Sequence, residues 1–263
     1  MSHTQSTSRT LLVAFLLCLV CSIIVSASFV LLRPLQDFNR ALDKRRNILL
    51  AAGLLPKGEN VDVNAIYEAR VKPRVVHLES GAYVDSIDPE TFNERQASKE
   101  PETSVPVAPE RDIARIRVHA QHTVVYEIYE GDQLKTVVLP VHGKGLWSTL
   151  WGLLALQGDA NTVAGLSFYE HAETPGLGGE IDNPKWRSLW PGKKLLDEDG
   201  EYQLEVIKGQ VNLQNPEAIH KVDGLSGATI TSDGVENLLR FWMGDDGYGP
   251  YLERLRNKGD PHG

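Results

Sequence analysis

Asp223-Gly224-Leu225-Ser226-Gly227-Ala228-Thr229-Ile230-Thr231-Ser232 is the stretch from which the chain is best read. Two glycines, small residues and several hydroxyls run directly into an apolar helical pattern from Val235 to Met243. This predicts a tight turn that opens a helix. The first turn of a helix presents unpaired backbone N–H groups and the positive end of its dipole, so an anion is favoured there. One reading is a phosphate-bearing cofactor at the turn, with Thr229 as its closest contact. N-capping by Thr229, Thr231 or Ser232 accounts for the same hydroxyls equally well. Two further chemistries fit less. A GxxxxGK[ST] phosphate loop needs a lysine that this stretch lacks. A GxSxG elbow begins at Gly224-Leu225-Ser226, but Ala228 stands where its last glycine belongs.

The rest of the chain narrows the chemistry further. It has 263 residues with 41% hydrophobic and 24% charged side chains, a globular composition with ample core. A net charge of -8 leaves no basic field to gather nucleic acid. The only cysteines, Cys18 and Cys21, lie in an apolar run and read as small apolar residues. The remainder therefore holds no disulfide, cysteine-ligated cluster or thiolate zinc site. Any redox role needs another kind of cofactor, and no metal site is expected.

That apolar run, residues 11–32, reads LLVAFLLCLVCSIIVSASFVLL. At about 1.5 Å per residue it is about 33 Å long, enough for a bilayer core of about 30 Å. It exceeds the roughly 7–15 apolar residues of a cleaved signal peptide. The expected organisation is a tail over 1–10, a transmembrane helix over 11–32, a membrane-proximal helical segment over 33–56 and a soluble domain over 57–263. Pro34 is expected to stop or kink the first helix, and Gly53 and Pro56 to end the second. Ser22, Ser26 and Ser28 suit contact with partner helices. Arg33, Arg40, Lys44, Arg45 and Arg46 follow the run while only Arg9 precedes it, so the charge rule alone places the large domain in the cytoplasm.

Within that domain, strands are expected at Val75–Leu78, Ala114–Val118, Val124–Tyr129, Leu134–Val141, Val163–Tyr169 and Tyr202–Ile207, with a turn at Gly131-Asp132. Four prolines make 86–110 an irregular surface excursion. Glycines at 143, 145, 152 and 158 argue against a helix over 142–160. Gly-rich backbone beside Trp147 and Trp151 suits a flat ring or an aromatic core corner. His119 and His122 read as solvated residues at a strand connection. His171-Ala172-Glu173-Thr174-Pro175-Gly176-Leu177-Gly178-Gly179-Glu180 follows a strand and reads as a ligand-contacting loop. His171 and Glu173 in it suit acid–base or metal work, or surface hydrogen bonds. A short helix or turn is expected over Asn183–Trp190, and a fading charged tail after Tyr248, Tyr251 and Leu252. Strands without a βαβ rhythm predict an α+β fold with a mixed, largely antiparallel sheet.

Asp223-Gly224-Leu225-Ser226-Gly227-Ala228-Thr229 resembles the flavinylation motif of the FMN-binding domain family. Four further features extend the likeness: Arg46–Leu54 (RNILLAAGL), Gly143-Lys144-Gly145-Leu146-Trp147, Glu173-Thr174-Pro175-Gly176-Leu177-Gly178 and the single anchor. With them, nearly the whole chain is similar to the NqrC family, one component of the sodium-translocating NADH:quinone reductases. The RnfG-like component of Rnf-type electron-transport complexes is the alternative, sharing the anchor and the motif. The resemblance implies FMN in phosphoester linkage to Thr229, delivered from FAD by a separate flavin transferase, with Asp223 and Ser226 completing the motif. It implies Gly227, Ala228, Thr231 and Ser232 near the phosphate or ribityl chain. Glu173, Thr174 and Leu177 would border the isoalloxazine ring, with Trp147 packing nearby. No catalytic residue is implied beyond the carrier. The implied setting is a multi-subunit complex in a bacterial inner membrane, contacting lipid. That complex oxidises NADH, reduces ubiquinone and exports Na+. The family's large domain faces the periplasm, against the charge count.

Overall fold

The computed structural model describes residues 7–55 and 61–259. The chain divides into two units, one up to Lys44 and one from Arg45 onward. The described residues of the first are all helical. They form most of helix α1, Thr7–Ala51, whose apolar side chains, Leu11, Phe15, Ile23 and Phe29 among them, are exposed. Among the described residues α1 is the one helix long and apolar enough to cross a membrane. Pro34 lies inside α1 and does not stop it. A proline forfeits a single hydrogen bond to the preceding turn, and the apolar run before it and Leu35–Leu50 after it continue the helix. Pro56, expected to close the second segment, lies outside the described residues.

The second unit begins with the last turns of α1. Ile48, Leu49 and Ala51 are buried. The helix closes in a Schellman turn: Leu54 N–H donates to the Leu49 carbonyl at 2.8 Å and Gly53 N–H to that of Leu50 at 3.2 Å, with Gly53 at φ +69°. The chain continues through α2 (Val63–Arg70), β1 (Val71–His77), β2 (Ala82–Tyr83), α3 (Glu94–Ala97), β3 (Ser104–Pro106) and β4 (Val118–Ala120). Four long strands follow, β5 (His122–Glu130), β6 (Gln133–Lys144), β7 (Thr149–Gln157) and β8 (Val163–Glu170). Then come a 3-10 turn at Gly178–Asp182, α4 (Pro184–Arg187), β9 (Glu205–Ile207), a second 3-10 turn at Pro216–His220, β10 (Lys221–Asp223), α5 (Thr229–Met243) and α6 (Gly249–Gly259). The central sheet is antiparallel throughout, in the order β2-β1-β5-β6-β7-β8. A parallel β9–β10 pair and an antiparallel β3–β4 pair lie apart from it. The fold is α+β, as expected.

Helix α5 packs on β6. Val235, Leu238, Leu239 and Trp242 share one core with Val137, Leu139 and Val141. Two polar anchors fix that packing. Trp242 Nε1–H donates to the His142 carbonyl at 2.7 Å, and Tyr248 O–H to the Pro140 carbonyl at 2.7 Å. His142 stacks on Trp151 with ring centroids 4.3 Å apart, and burial drives its pKa down to about 3, so the ring stays neutral.

Several expectations are corrected. Strand β7 fills much of 142–160, where no element was expected; paired between β6 and β8 and buried along most of its length, it has a nearly continuous apolar run without alternation. Residues 114–117 are not a strand; of the expected segment only Val118 is, as the first residue of β4. Arg115 (φ +53°) and Arg117 (φ +67°) adopt left-handed backbone, and the Asp112 carboxylate accepts Ile116 N–H at 2.7 Å and Arg117 N–H at 2.8 Å. The 86–110 excursion contains α3 and β3. Tyr202–Leu204 lies outside β9. His119 is not solvated: it is 5% exposed, edge-on to Phe241 and Trp242, with Nδ1 2.8 Å from the Ala120 carbonyl. The charged tail expected after Leu252 is helical as far as Gly259, the end of α6; residues 260–263 lie outside the described residues.

A buried carboxylate holds α6 to the sheet. Glu127 on β5 accepts hydrogen bonds from Tyr83 (2.5 Å), Tyr251 (2.8 Å) and Tyr129 (2.9 Å). Burial raises the Tyr251 pKa strongly, so it donates as a phenol. Tyr251→Phe removes one donor from a buried anion. It is expected to lower stability by about 1–3 kcal/mol, read as a fall in the urea midpoint at constant slope.

Candidate functional site

Strand β10 delivers the chain into the turn 224–228. Gly227 has φ +73°, which favours a residue without Cβ. Ala228 occupies the N-cap of α5 and no side chain caps the helix. The first helical bond runs from Ser232 N–H to the Ala228 carbonyl at 3.0 Å. The N–H groups of Thr229, Ile230 and Thr231 therefore have no intrahelical acceptor. The capping explanation of the hydroxyls does not hold: none of the three serves the helix end in that way.

The hydroxyls divide by direction. Thr229 is exposed. Thr231 is fully buried and donates to Glu173 Oε2 at 2.6 Å. Ser232 is buried and its Oγ accepts Leu225 N–H at 2.9 Å, which closes the turn on itself. Ser226 is exposed beside Gly227. Asp223 is engaged with other segments. Its Oδ1 accepts Val211 N–H and its carbonyl accepts Trp186 Nε1–H, both at 2.8 Å. Asp223, Thr231 and Ser232 shape the turn with their side chains, and of these only Thr231 contributes an open N–H.

Glu173 is the polar centre of the site. It is 5% exposed. Oε1 accepts Trp147 N–H at 3.0 Å and Ser148 N–H at 3.2 Å; Oε2 accepts Leu146 N–H at 3.3 Å besides the Thr231 hydroxyl. Burial works to raise its pKa, but the Thr231 hydroxyl and the three amides outweigh that and hold the carboxyl below its ordinary value of 4.5. The packing leaves no room for a side chain at Gly178, whose Cβ would stand 2.5 Å from Thr231 Oγ1 and 2.8 Å from Glu173 Oε2. Further bonds fasten the loop. Ala172 N–H donates to Ser148 Oγ at 2.7 Å, and His171 bridges Glu173 N–H (3.2 Å) and the Asp182 carboxylate (2.7 Å). His171 and Glu173 are thus engaged in holding the loop. Among the described residues no cluster of three or more His, Cys, Asp or Glu is placed to hold a metal ion.

Around Thr229 the surface is apolar. Leu146 is 43% exposed, Trp147 66%, Leu177 45% and Ile230 58%. Leu177 lies against Gly227, its Cδ2 3.2 Å from where a Cβ would be. Thr174, exposed on the same loop, turns it through its carbonyl, which accepts Leu177 N–H at 3.1 Å and Gly179 N–H at 2.9 Å. Lys144 Nζ donates to the Trp147 carbonyl at 3.1 Å and steadies the opposite side. Leu146 and Ile230 join the site although sequence reasoning singled out only their neighbours. The signals that find them are helical phase for Ile230 and turn geometry for Leu146. The arrangement offers free amides for an anion, a hydroxyl beside them and carbon surfaces for a flat group.

Residues 145–244 match the FMN-binding domain family. The NqrC protein of the Na(+)-translocating NADH-quinone reductase of Pseudomonas aeruginosa is 49% identical over 257 residues, covering 97% of this chain and 98% of that one. Its counterpart in Haemophilus ducreyi is 46% identical, covering 97% and 96%. Among solved structures, NqrC of Shewanella oneidensis gives a TM-score of 0.76 at 36% identity, over 83% of this chain and 99% of that one. The corresponding protein of Parabacteroides distasonis gives 0.65 at 29% identity, over 84% and 96%.

Glu173→Gln puts an amide NH2 opposite donors on one side of the clamp. A loss of about 1–3 kcal/mol is expected in urea unfolding. The pH dependence follows from the sign of the shift. With the folded pKa below the unfolded one, the carboxylate stabilises fully above pH about 5 and progressively less as pH falls through the folded value. Glu173→Gln should therefore flatten the acid limb of the stability profile and leave its neutral-to-alkaline shape unchanged.

Proposed function

We propose a function from the following premise: the chain belongs to the NqrC family of the Na(+)-translocating NADH-quinone reductases. It is an electron-transfer subunit that carries FMN in the membrane complex coupling NADH oxidation and ubiquinone reduction to Na+ export. The carrying observation is the exposed Thr229 hydroxyl at the uncapped start of α5, inside a segment that matches the FMN-binding domain family. The Rnf-type alternative is not favoured, because the relatives given above are all NqrC proteins.

The residues present fit the cofactor. Amides at 229–231 and the dipole of α5 receive the phosphate, and Gly227 lets the backbone approach it. Thr229 takes the covalent link: its Oγ forms a bond to the FMN phosphorus of FAD while the P–O–P bond breaks, AMP leaves, and the hydroxyl proton departs to solvent or base. A flavin transferase performs that step. Ser226 and Ala228 line the turn beside it. Trp147, Leu146, Leu177 and Ile230 would offer carbon surface to the ring and keep water from it, with Thr174 beside them. Glu173, Thr231, Ser232 and Asp223 hold these groups in place from behind. Bound flavin supplies reversible acceptance of one or two electrons. The chain contributes no acid or base to turnover; its work is to tether, orient and desolvate.

Residues 11–32 cross a bacterial inner membrane and contact its lipid, residues 33–56 lead off it, and 57–263 form the soluble flavin domain beside the other subunits. That domain lies in the periplasm, a placement supported by the family resemblance against the charge distribution around the anchor. Reporter fusions after residue 60 and at the C-terminus, active only in the periplasm, are the check on topology.

Co-expression with a flavin transferase and intact-mass measurement of the denatured chain test the linkage. Wild type should gain the mass of FMN less water. Thr229→Ala should lose it entirely. Thr231→Ser, which keeps the bond to Glu173, should retain it. Flavin mass on the Thr229→Ala chain would rule out the assignment.

A further inference from the structure

A cavity of about 410 Å³ lies along the β6–β7 hairpin. Arg95, Lys99, Arg115, Ile116, Val118, Trp151 and Glu170 are among the residues that line it. Three cations thus face one carboxylate, in a chain whose net charge is -8. The cations are not equivalent. Arg95 is fixed: its guanidinium lies 3.7 Å over Trp151 and grips Glu170 through two bonds, at 2.7 and 3.2 Å. Lys99 and Arg115 are exposed and have no ion-pair partner among the described residues. The cavity therefore keeps two uncommitted positive charges beside a rigid, neutralised pair.

The loop that supplies Arg115 is costly to build. Left-handed backbone is strained for a residue other than glycine, and this loop has two such residues, Arg115 and Arg117. Asp112 offsets part of that cost by accepting the N–H groups of Ile116 and Arg117. Lys144 N–H pins the loop to β6 through the Ala114 carbonyl at 2.9 Å. The core does not need the Arg115 side chain, which is exposed. The conformation sets a guanidinium at the mouth of the cavity, and a guanidinium fork matches the oxygens of a phosphate.

We propose that this cavity binds a phosphate group, through Arg115 and Lys99, as a site separate from the turn before α5. Ile116 and Val118 at its wall accept a small apolar portion of the molecule that carries the phosphate. Two sources share this chemistry, a soluble phosphate ester and a phospholipid headgroup.

Calorimetric titration of the full chain in nanodiscs at low ionic strength tests the site, with inorganic phosphate, glycerol 3-phosphate and short-chain phosphatidylglycerol below its micelle concentration as separate probes. At least one probe should bind, and Arg115→Gln and Lys99→Gln should each weaken that binding about tenfold. Arg117→Gln, whose side chain lies outside the cavity, should leave it unchanged. Asp112→Asn removes a negative charge, yet should weaken binding because the loop loses its brace. Tighter binding of glycerol 3-phosphate assigns a soluble ester, and tighter binding of the lipid assigns a headgroup. Phosphate held at the start of α5 would be indifferent to all four substitutions. No binding of any probe, binding insensitive to Arg115 and Lys99, or tighter binding by Asp112→Asn would overturn the proposal.

Discussion

One buried carboxylate sets the geometry on which the site depends. Glu173 collects four donors from two places distant in the chain, the amides of 146–148 and the hydroxyl of Thr231. A carboxylate out of water is expensive unless its lone pairs are used, and here each oxygen has two donors. The same bonds that compensate for burial decide where three backbone segments meet. Once the amides of 146–148 turn inward to Glu173, the side chains of Leu146 and Trp147 are left outside. Once Thr231 turns inward, the first turn of α5 can have only one rotation about its axis. The apolar rim and the free amides are thus consequences of a polar contact behind them.

That contact would be useless on a soft support. The β6–β7 hairpin carries the 145–148 turn at its end, with the strands paired without interruption from Thr136–Gln157 to Lys144–Thr149. Helix α5 lies on β6, fixed by Trp242 to the His142 carbonyl and extended by Tyr248 to that of Pro140. The two sides of the Glu173 clamp are therefore anchored to the same strand. Glu127 solves a similar problem elsewhere in the sheet with tyrosine hydroxyls in place of amides, which ties β2 and α6 to β5. In both cases a single acid replaces what would otherwise require a larger apolar interface.

What is legible in the sequence follows the strength of local signals. Val124–Tyr129, Leu134–Val141 and Val163–Tyr169 announce strands through β-branched and aromatic runs, and the turn before Val235 announces a helix start. Strand β7 is hidden because burial on both faces erases its alternation, and because Gly152 reads as a breaker when it is where Phe168 packs against the backbone. Residues 114–118 look like a strand in composition; the carboxylate of Asp112, reaching four and five residues ahead, overrides that preference up to Arg117, and the strand starts only at Val118. Helix α6 has polar residues on most of its faces, and only Tyr251, Leu252 and Leu255 carry its packing, too few to signal a helix without the partner surface. Glu173 is legible as important but not in its role. An acid in a Pro/Gly-rich loop looks like a ligand contact, and nothing local reveals that its partners lie 25 residues before it and 58 after it.

The choice among three neighbouring hydroxyls shows how helical phase turns a motif into a site. Successive residues on an α-helix are about 100° apart, so Thr229 and Thr231 point about 200° from one another. When Thr231 is drawn to Glu173, Thr229 is carried to the opposite side, toward solvent and the open amides. Ser232 lies only about 60° from Thr229 in helical phase, but it is buried and its Oγ accepts the Leu225 amide. A sequence with Thr at both 229 and 231 presents two chemically equivalent alcohols. The fold makes them unequal by consuming one: a buried hydroxyl that already donates to a carboxylate at 2.6 Å is neither accessible nor free to rotate. A shift of the helix start by one residue would turn every side chain by about 100° and take the Thr231 hydroxyl off Glu173. Gly178 guards against such a shift. Its stretch of loop approaches Thr231 and Glu173 too closely for any side chain, and the register of α5 is thereby tied to the loop that borders the apolar rim.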